Sequence, residues 1–199
     1  MNEVDDKHEN ALPLSEEWES ISQWRRAKRE SLVRSRIKVG SNQRKMNLEK
    51  IRLRLAEALE TLHKGIIGFY WPIKGEFDLR SFVEGYLAEE WSAALPAVVE
   101  KDEPLEFRLW TPETELLPGI WNIPTPIERN VVEPTVLLVP LVGFDAEQYR
   151  LGYGGGYYDR TIVNFKKRPF TVGVGLNIMR LKTIYPQTHD IPMDKILTV

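Results

Sequence analysis

The sequence predicts an α/β fold: a mostly parallel sheet covered by helices on both faces and preceded by two further helices. Three observations carry this. Ile66-Ile67-Gly68-Phe69-Tyr70-Trp71 and Val136-Leu137-Leu138-Val139-Pro140 are apolar throughout, as strands buried on both faces are. Such runs alternate with helix-patterned segments, the ordering that builds parallel sheets. Ahead of them, Leu48, Ile51, Leu55, Leu59 and Leu62 recur in steps of three and four and define one helical face.

Residues 1–20 hold seven acids and one lysine with little to bury, so they read as an acidic, mobile tail. A first helix is expected from Ser15 or Ser20 to Lys38, with Ser15 capping it and Glu16-Glu17 on its positive end. Gly40-Ser41-Asn42 breaks the pattern and caps the second helix. After the strand at 66–71, Asp78 caps a helix over Leu79, Phe82, Val83, Tyr86 and Leu87, and strands follow at 94–99 and 105–110. Six prolines between 104 and 134 make the next stretch extended connection. A glycine-rich loop then links the strand at 136–140 to a helix over 157–166 and a strand over 170–176. Residues 21–199 are expected to form a single domain.

Composition narrows the function. The chain has 199 residues and a net charge of −2, which gives no global field for nucleic acid or anionic lipid. It has no cysteine, which excludes disulfides, thiolate metal sites and a cysteine nucleophile. His8, His63 and His189 are too scattered for a histidine metal cage. No apolar run reaches the roughly 20 residues of a membrane span, and the acidic start is unlike a signal peptide. A cytoplasmic enzyme or binding protein is expected.

The densest chemical signal is Arg150-Leu151-Gly152-Tyr153-Gly154-Gly155-Gly156-Tyr157-Tyr158-Asp159. Consecutive glycines cost backbone entropy, and a tight turn needs only one or two. Between a parallel strand and a helix, they can aim successive N–H groups at an anion and add the helix's positive end. Arg150 would supply a forked charge to the same oxygens. The pattern matches neither the P-loop nor the dinucleotide fingerprint, so the residues alone define a phosphate-binding loop of unspecified family.

Together with Pro140-Leu141-Val142-Gly143-Phe144-Asp145, this segment resembles the signature of the 5-formyltetrahydrofolate cyclo-ligase (methenyltetrahydrofolate synthetase) family. The resemblance runs from about Trp24 to the C-terminus, with Gly75-Glu76-Phe77-Asp78 and Trp121-Asn122-Ile123-Pro124 as weaker matches. It implies a three-layer α/β/α sandwich. The implied activity converts 5-formyltetrahydrofolate and Mg-ATP into 5,10-methenyltetrahydrofolate, ADP and phosphate. The formyl oxygen attacks the γ-phosphoryl group, N10 closes on the activated carbon, and phosphate leaves. It also implies site roles. Arg25, Arg29 and the segment Arg150, Leu151, Gly152, Tyr153, Gly154, Gly155, Gly156, Tyr157 and Tyr158 would hold ATP. Trp71, Glu76, Trp121 and Tyr153 to Tyr157 would border the folate, with Arg150 and Tyr157 catalytic. Asp159 and Asp190 match positions associated with Mg²⁺.

Arg25 stands where the family commonly has lysine, and Arg26 or Lys28 are the neighbouring alternatives. On a helix, Arg25, Arg29, Leu32 and Arg36 share one face, whereas Arg26 and Arg34 point to solvent. His189 reads as a turn residue, and Trp18, Trp24, Trp91 and Trp110 receive no role. The expected partners are reduced folate and ATP, with neither nucleic acid nor membrane, and the expected state is a monomer or weak homodimer. Three alternatives stand beside this reading. One is a sugar-phosphate isomerase or CoA transferase on the same scaffold. Another is an RNA-binding module using the basic helix, and the third is a relative that binds ATP but acts on another substrate.

Overall fold

A computed structural model of the protein describes residues 14–199. Helix α1 (Leu14–Ile37) already includes Leu14. Residues 14–20, expected to belong to a loose tail, therefore lie in helix, and Ser15 is inside it, not ahead of it. Residues 1–13 of that expected tail lie outside the described residues.

Helix α2 (Ser41–Leu59) follows after Gly40 and buries Ile51, Leu55 and Leu59. Strand β1 (Ile66–Gly68), helix α3 (Arg80–Leu87) and strand β2 (Ser92–Ala97) come next. Strand β3 (Glu106–Leu109), the small antiparallel pair β4 (Leu116–Pro118) and β5 (Pro124–Pro126), and the edge strand β6 (Val131–Val132) make up the proline-rich middle. The final third contains strand β7 (Val136–Pro140), the two-residue strands β8 (Gly143–Phe144) and β9 (Arg150–Leu151), and helix α4 (Tyr157–Asn164). Strands β10 (Phe170–Gly175) and β11 (Lys195–Thr198) end it.

Seven strands form one sheet in the order β11–β10–β7–β1–β2–β3–β6. The first five are parallel, β3 runs antiparallel to β2, and β6 antiparallel to β3. The sheet is thus mostly parallel, with an antiparallel edge where 105–110 was expected simply as a strand. Alternation along β7 shows why its run is apolar. Val136 and Leu138 enter the core under α2 and α3, while Leu137 and Val139 enter the core on the opposite face with Ile162 of α4. The layers are therefore helix, sheet and helix.

The strand at 66–71 is shorter than expected. The Phe69 N–H still pairs with the Ala94 carbonyl, but the chain then leaves the sheet at Tyr70. Strand β11 has no counterpart in the expectations, because Lys195-Ile196-Leu197-Thr198 is short and half polar. It is recruited by register with Val172–Gly175.

From β1 the chain crosses to β2 on one side, whereas β7, β10 and β11 build outward on the other. The strand order therefore reverses between β1 and β7. In open α/β sheets, a crevice opens at such a reversal, beyond the carboxyl ends of the strands.

Candidate active site

A cavity of about 690 Å³ occupies that position. Its floor is made by Tyr70 and Trp71 after β1, Pro140 at the end of β7 and the glycine loop before α4. One stripe of α1 closes a side: Trp18, Ser22, Arg25 and Arg29 fall in steps of four, three and four and all face the cavity. Residues assigned to ATP and to folate thus line one cleft, including every position from Arg150 to Asp159.

The glycine loop forms a backbone cradle on the cavity wall. Gly154 (φ 100°) and Gly156 (φ 65°) take left-handed conformations that side chains resist. A Cβ on Gly154 would lie 3.2 Å from Cζ of Arg29, so the bare backbone lets the guanidinium close in. Among the described residues, no backbone N–H from Tyr153 to Gly156 donates to a protein acceptor. Gly156 leads directly into α4, whose positive end therefore adds to the cradle.

The basic face of α1 divides as its helical phase predicts. Arg26 and Arg34 are exposed and, among the described residues, pair only with Glu30. Arg25 is buried, with its guanidinium on the Ile184 and Tyr185 carbonyls and on Asp190. Arg29 differs. Its Nε donates to the Gly152 carbonyl at 2.8 Å, and among the described residues it forms no ion pair. Burial first, and then the like charge of Arg25, depress its pKa.

Arg150 and Asp159 form a two-pronged ion pair, with Nη1 to Oδ1 at 2.7 Å and Nη2 to Oδ2 at 3.0 Å. The Ile191 N–H donates to Asp159 as well. Arg150 was expected to grip phosphate and Asp159 to hold Mg²⁺; here each neutralises the other, leaving only Nε of Arg150 buried and unpartnered. Asp190 is similarly engaged by Arg25 and by the Gln187 N–H. Mg²⁺ prefers hard oxygen ligands that are free to coordinate. These two carboxylates do not fit that need as arranged, and the described residues contain no cluster of three acidic or imidazole groups suited to a metal.

At the other end, Glu76 is buried at 9% exposure. It accepts from the Ile73 N–H at 2.9 Å and from the Tyr153 hydroxyl at 2.6 Å. Arg36 lies 3.6 Å away and also donates to Tyr153. Burial outweighs these contacts and raises the carboxyl pKa. Arg36 is itself pinned to the Lys74 and Leu141 carbonyls, so it positions the pair. Trp71 carries the Arg80 guanidinium over its ring at 4.3 Å. Trp121 is 66% exposed at the mouth, meets Tyr157 edge-on at 5.7 Å and sits at φ 58°.

Several lining residues carried no expected role. Trp18 and His189 meet edge to face with centroids 6.2 Å apart, and both border the cavity. Lys74 lies 5.3 Å from the Tyr153 ring centre, and Tyr70 forms part of the floor. A strand-terminal aromatic beside Trp71 was the available signal for Tyr70. Nothing local marked Trp18, since its place depends on where α1 docks. Trp91 and Trp110 are core residues, and Trp24 packs on Tyr185.

A strand-end cleft that joins a glycine-rich loop to a buried carboxylate and aromatic walls has the form of the small-molecule site of an α/β enzyme. Residues 21–199 match the 5-formyltetrahydrofolate cyclo-ligase family, and the chain belongs to that family. The 5-formyltetrahydrofolate cyclo-ligase of Haemophilus influenzae is 30% identical over 139 residues, 66% of this chain and 74% of that protein. The protein of that name from Escherichia coli K12 is 29% identical over 145 residues, covering 66% and 76%. Among solved structures, the Aquifex aeolicus 5,10-methenyltetrahydrofolate synthetase has a TM-score of 0.75 at 31% identity, covering 87% of this chain and 89% of that one. The Mycoplasma pneumoniae synthetase shares the fold, with a TM-score of 0.70 at 24% identity, covering 86% and 96%.

Proposed function

We propose that the chain converts 5-formyltetrahydrofolate and ATP into 5,10-methenyltetrahydrofolate, ADP and phosphate. The supporting observation is that a single cleft joins Arg29 and the open amides of the glycine loop to the aromatic-walled Glu76. A formamide oxygen is a poor leaving group, and phosphorylation turns it into a good one. The formyl oxygen attacks the γ-phosphorus as the bond to ADP breaks. N10 then adds to the activated carbon, phosphate departs with the former formyl oxygen, and N10 loses its proton. Such chemistry asks the protein for positioning and charge stabilisation, with no covalent nucleophile.

In this scheme Arg29 and the amides from Tyr153 to Gly156 hold the phosphates, with Arg25, Leu151 and Tyr158 shaping their side of the cleft. Arg150 and Tyr157 are the proposed catalytic positions. Glu76 accepts from the amino and ring N–H groups of the pterin, and Trp71 and Trp121 offer ring faces. Mg²⁺ enters as the counter-ion of the nucleotide. Asp159 and Asp190 would serve it only after releasing their arginines. Residues 21–199 act as one catalytic domain, in the cytoplasm, as a monomer or weak homodimer. The chemistry needs neither nucleic acid nor membrane, and no described helix is long and apolar enough to cross one.

The test mixes purified protein, Mg-ATP and 5-formyltetrahydrofolate and follows the near-ultraviolet absorbance of the methenyl product. ATP-dependent appearance of that band, with one phosphate per product, is expected. No band from protein that still binds ATP would assign the chain another substrate.

A further inference from the structure

Tyr70 lies at the floor of the cleft with its side chain almost wholly buried, at 3% exposure. Its hydroxyl has no hydrogen-bond partner among the described residues. Buried polar groups are nearly always paired, and one left unpaired bears the full penalty of losing water. Tyr70 also borders the cavity, so a ligand seated against it can supply the partner that the protein does not.

The surroundings identify what that partner must be. Glu76, Tyr158, Arg36 and Tyr153 are close enough to act on Tyr70 electrostatically, and burial keeps the phenol protonated. Of the neighbouring donors, Tyr153 already gives its proton to Glu76. Arg36 donates from each of its nitrogens, to the Lys74 carbonyl, the Leu141 carbonyl and the Tyr153 hydroxyl. The Tyr70 O–H, by contrast, makes no hydrogen bond among the described residues.

The pyrimidine edge of a pterin offers three groups in order: an amino donor, a ring N–H donor and a carbonyl acceptor. A carboxylate matches the first two but repels the third, so recognition of the whole edge needs a donor beside the carboxylate. We propose that Tyr70 is a specificity-determining residue for the folate, its O–H donating to the 4-oxo oxygen of the pterin whose N–H groups Glu76 accepts. The assignment rests on the folate reading of the site given above.

Tyr70→Phe in the full chain separates binding from structure, because it keeps the ring and deletes only the hydroxyl. In the ligand-free protein the thermal midpoint stays level or rises, since an unmet polar group has been removed. The KM for 5-formyltetrahydrofolate and its Kd from calorimetric titration rise about three- to tenfold, the scale of one neutral hydrogen bond. The KM for ATP stays put. A folate KM equal to the parent's would overturn the proposal. So would a lowered midpoint with both KM values raised, because that marks a structural role. A parent protein that neither binds nor turns over 5-formyltetrahydrofolate fails one step earlier, and overturns the folate reading along with the Tyr70 assignment.

Discussion

Glu76, proposed above to bind the pterin, works against the fold that holds it. Its carboxyl is buried beside Tyr153 and Arg36, and the loss of water raises its pKa despite both contacts. The unfolded chain then releases this proton at lower pH than the folded chain does. As pH climbs from the ordinary glutamate value through the folded one, the unfolded state gains, so the contribution of Glu76 to stability is largest in acid and declines upward. Glu76→Gln removes that titration. In urea melts across this window, the stability of the parent minus that of Glu76→Gln should therefore fall as pH rises. A difference that grew with pH would show that the carboxylate is stabilised by its partners, contrary to the dominance of burial. Arg29 makes the matching case at the other end of the cleft, as a half-buried cation whose depressed pKa reflects missing water and the nearby Arg25.

Among the elements, α1 and the segment after β10 meet across the cleft, and the Arg25–Asp190 pair joins them. Both side chains are at least nine-tenths buried. Deleting one partner strands the other charge, which typically costs about 3–5 kcal/mol. Asp190→Ala should lower unfolding stability by that amount in chemical denaturation without Mg²⁺. A variant as stable as the parent in metal-free buffer would return Asp190 to its expected role as a metal position. The contrast shows what sequence could convey. Helical phase separated buried Arg25 and Arg36 and half-buried Arg29 from solvated Arg26 and Arg34, because that depends only on 100° per residue. It could not reveal that Arg25 meets Asp190 across 165 positions, or that Arg150 of β9 and Asp159 of α4 pair across the glycine loop. Those contacts depend on docking. Similarly, β7 was legible because both of its faces are buried, whereas β11 and the hairpin of β8 and β9 are too short to impose a period.

At the scale of the molecule, the reversal of strand order between β1 and β7 places the site. It brings Tyr70 and Trp71 from one half of the chain against the loop at 152–156 from the other, and α1 covers the gap. Neither half holds both binding ends. The sequence signalled the loop strongly, because four glycines in five positions are rarely spent on a turn, and signalled the aromatic side weakly, because an isolated tryptophan is core by default. The central claim is that this one cleft seats the triphosphate against the formyl group so that oxygen passes from carbon to phosphorus. It is tested most directly with 5-formyltetrahydrofolate labelled with ¹⁸O in the formyl oxygen, by mass analysis of the phosphate released with unlabelled ATP in unlabelled water. Labelled phosphate, one ¹⁸O per methenyl product, is the predicted result. Unlabelled phosphate formed alongside the methenyl product would contradict it, since the two substrates would not have met in the cleft as described.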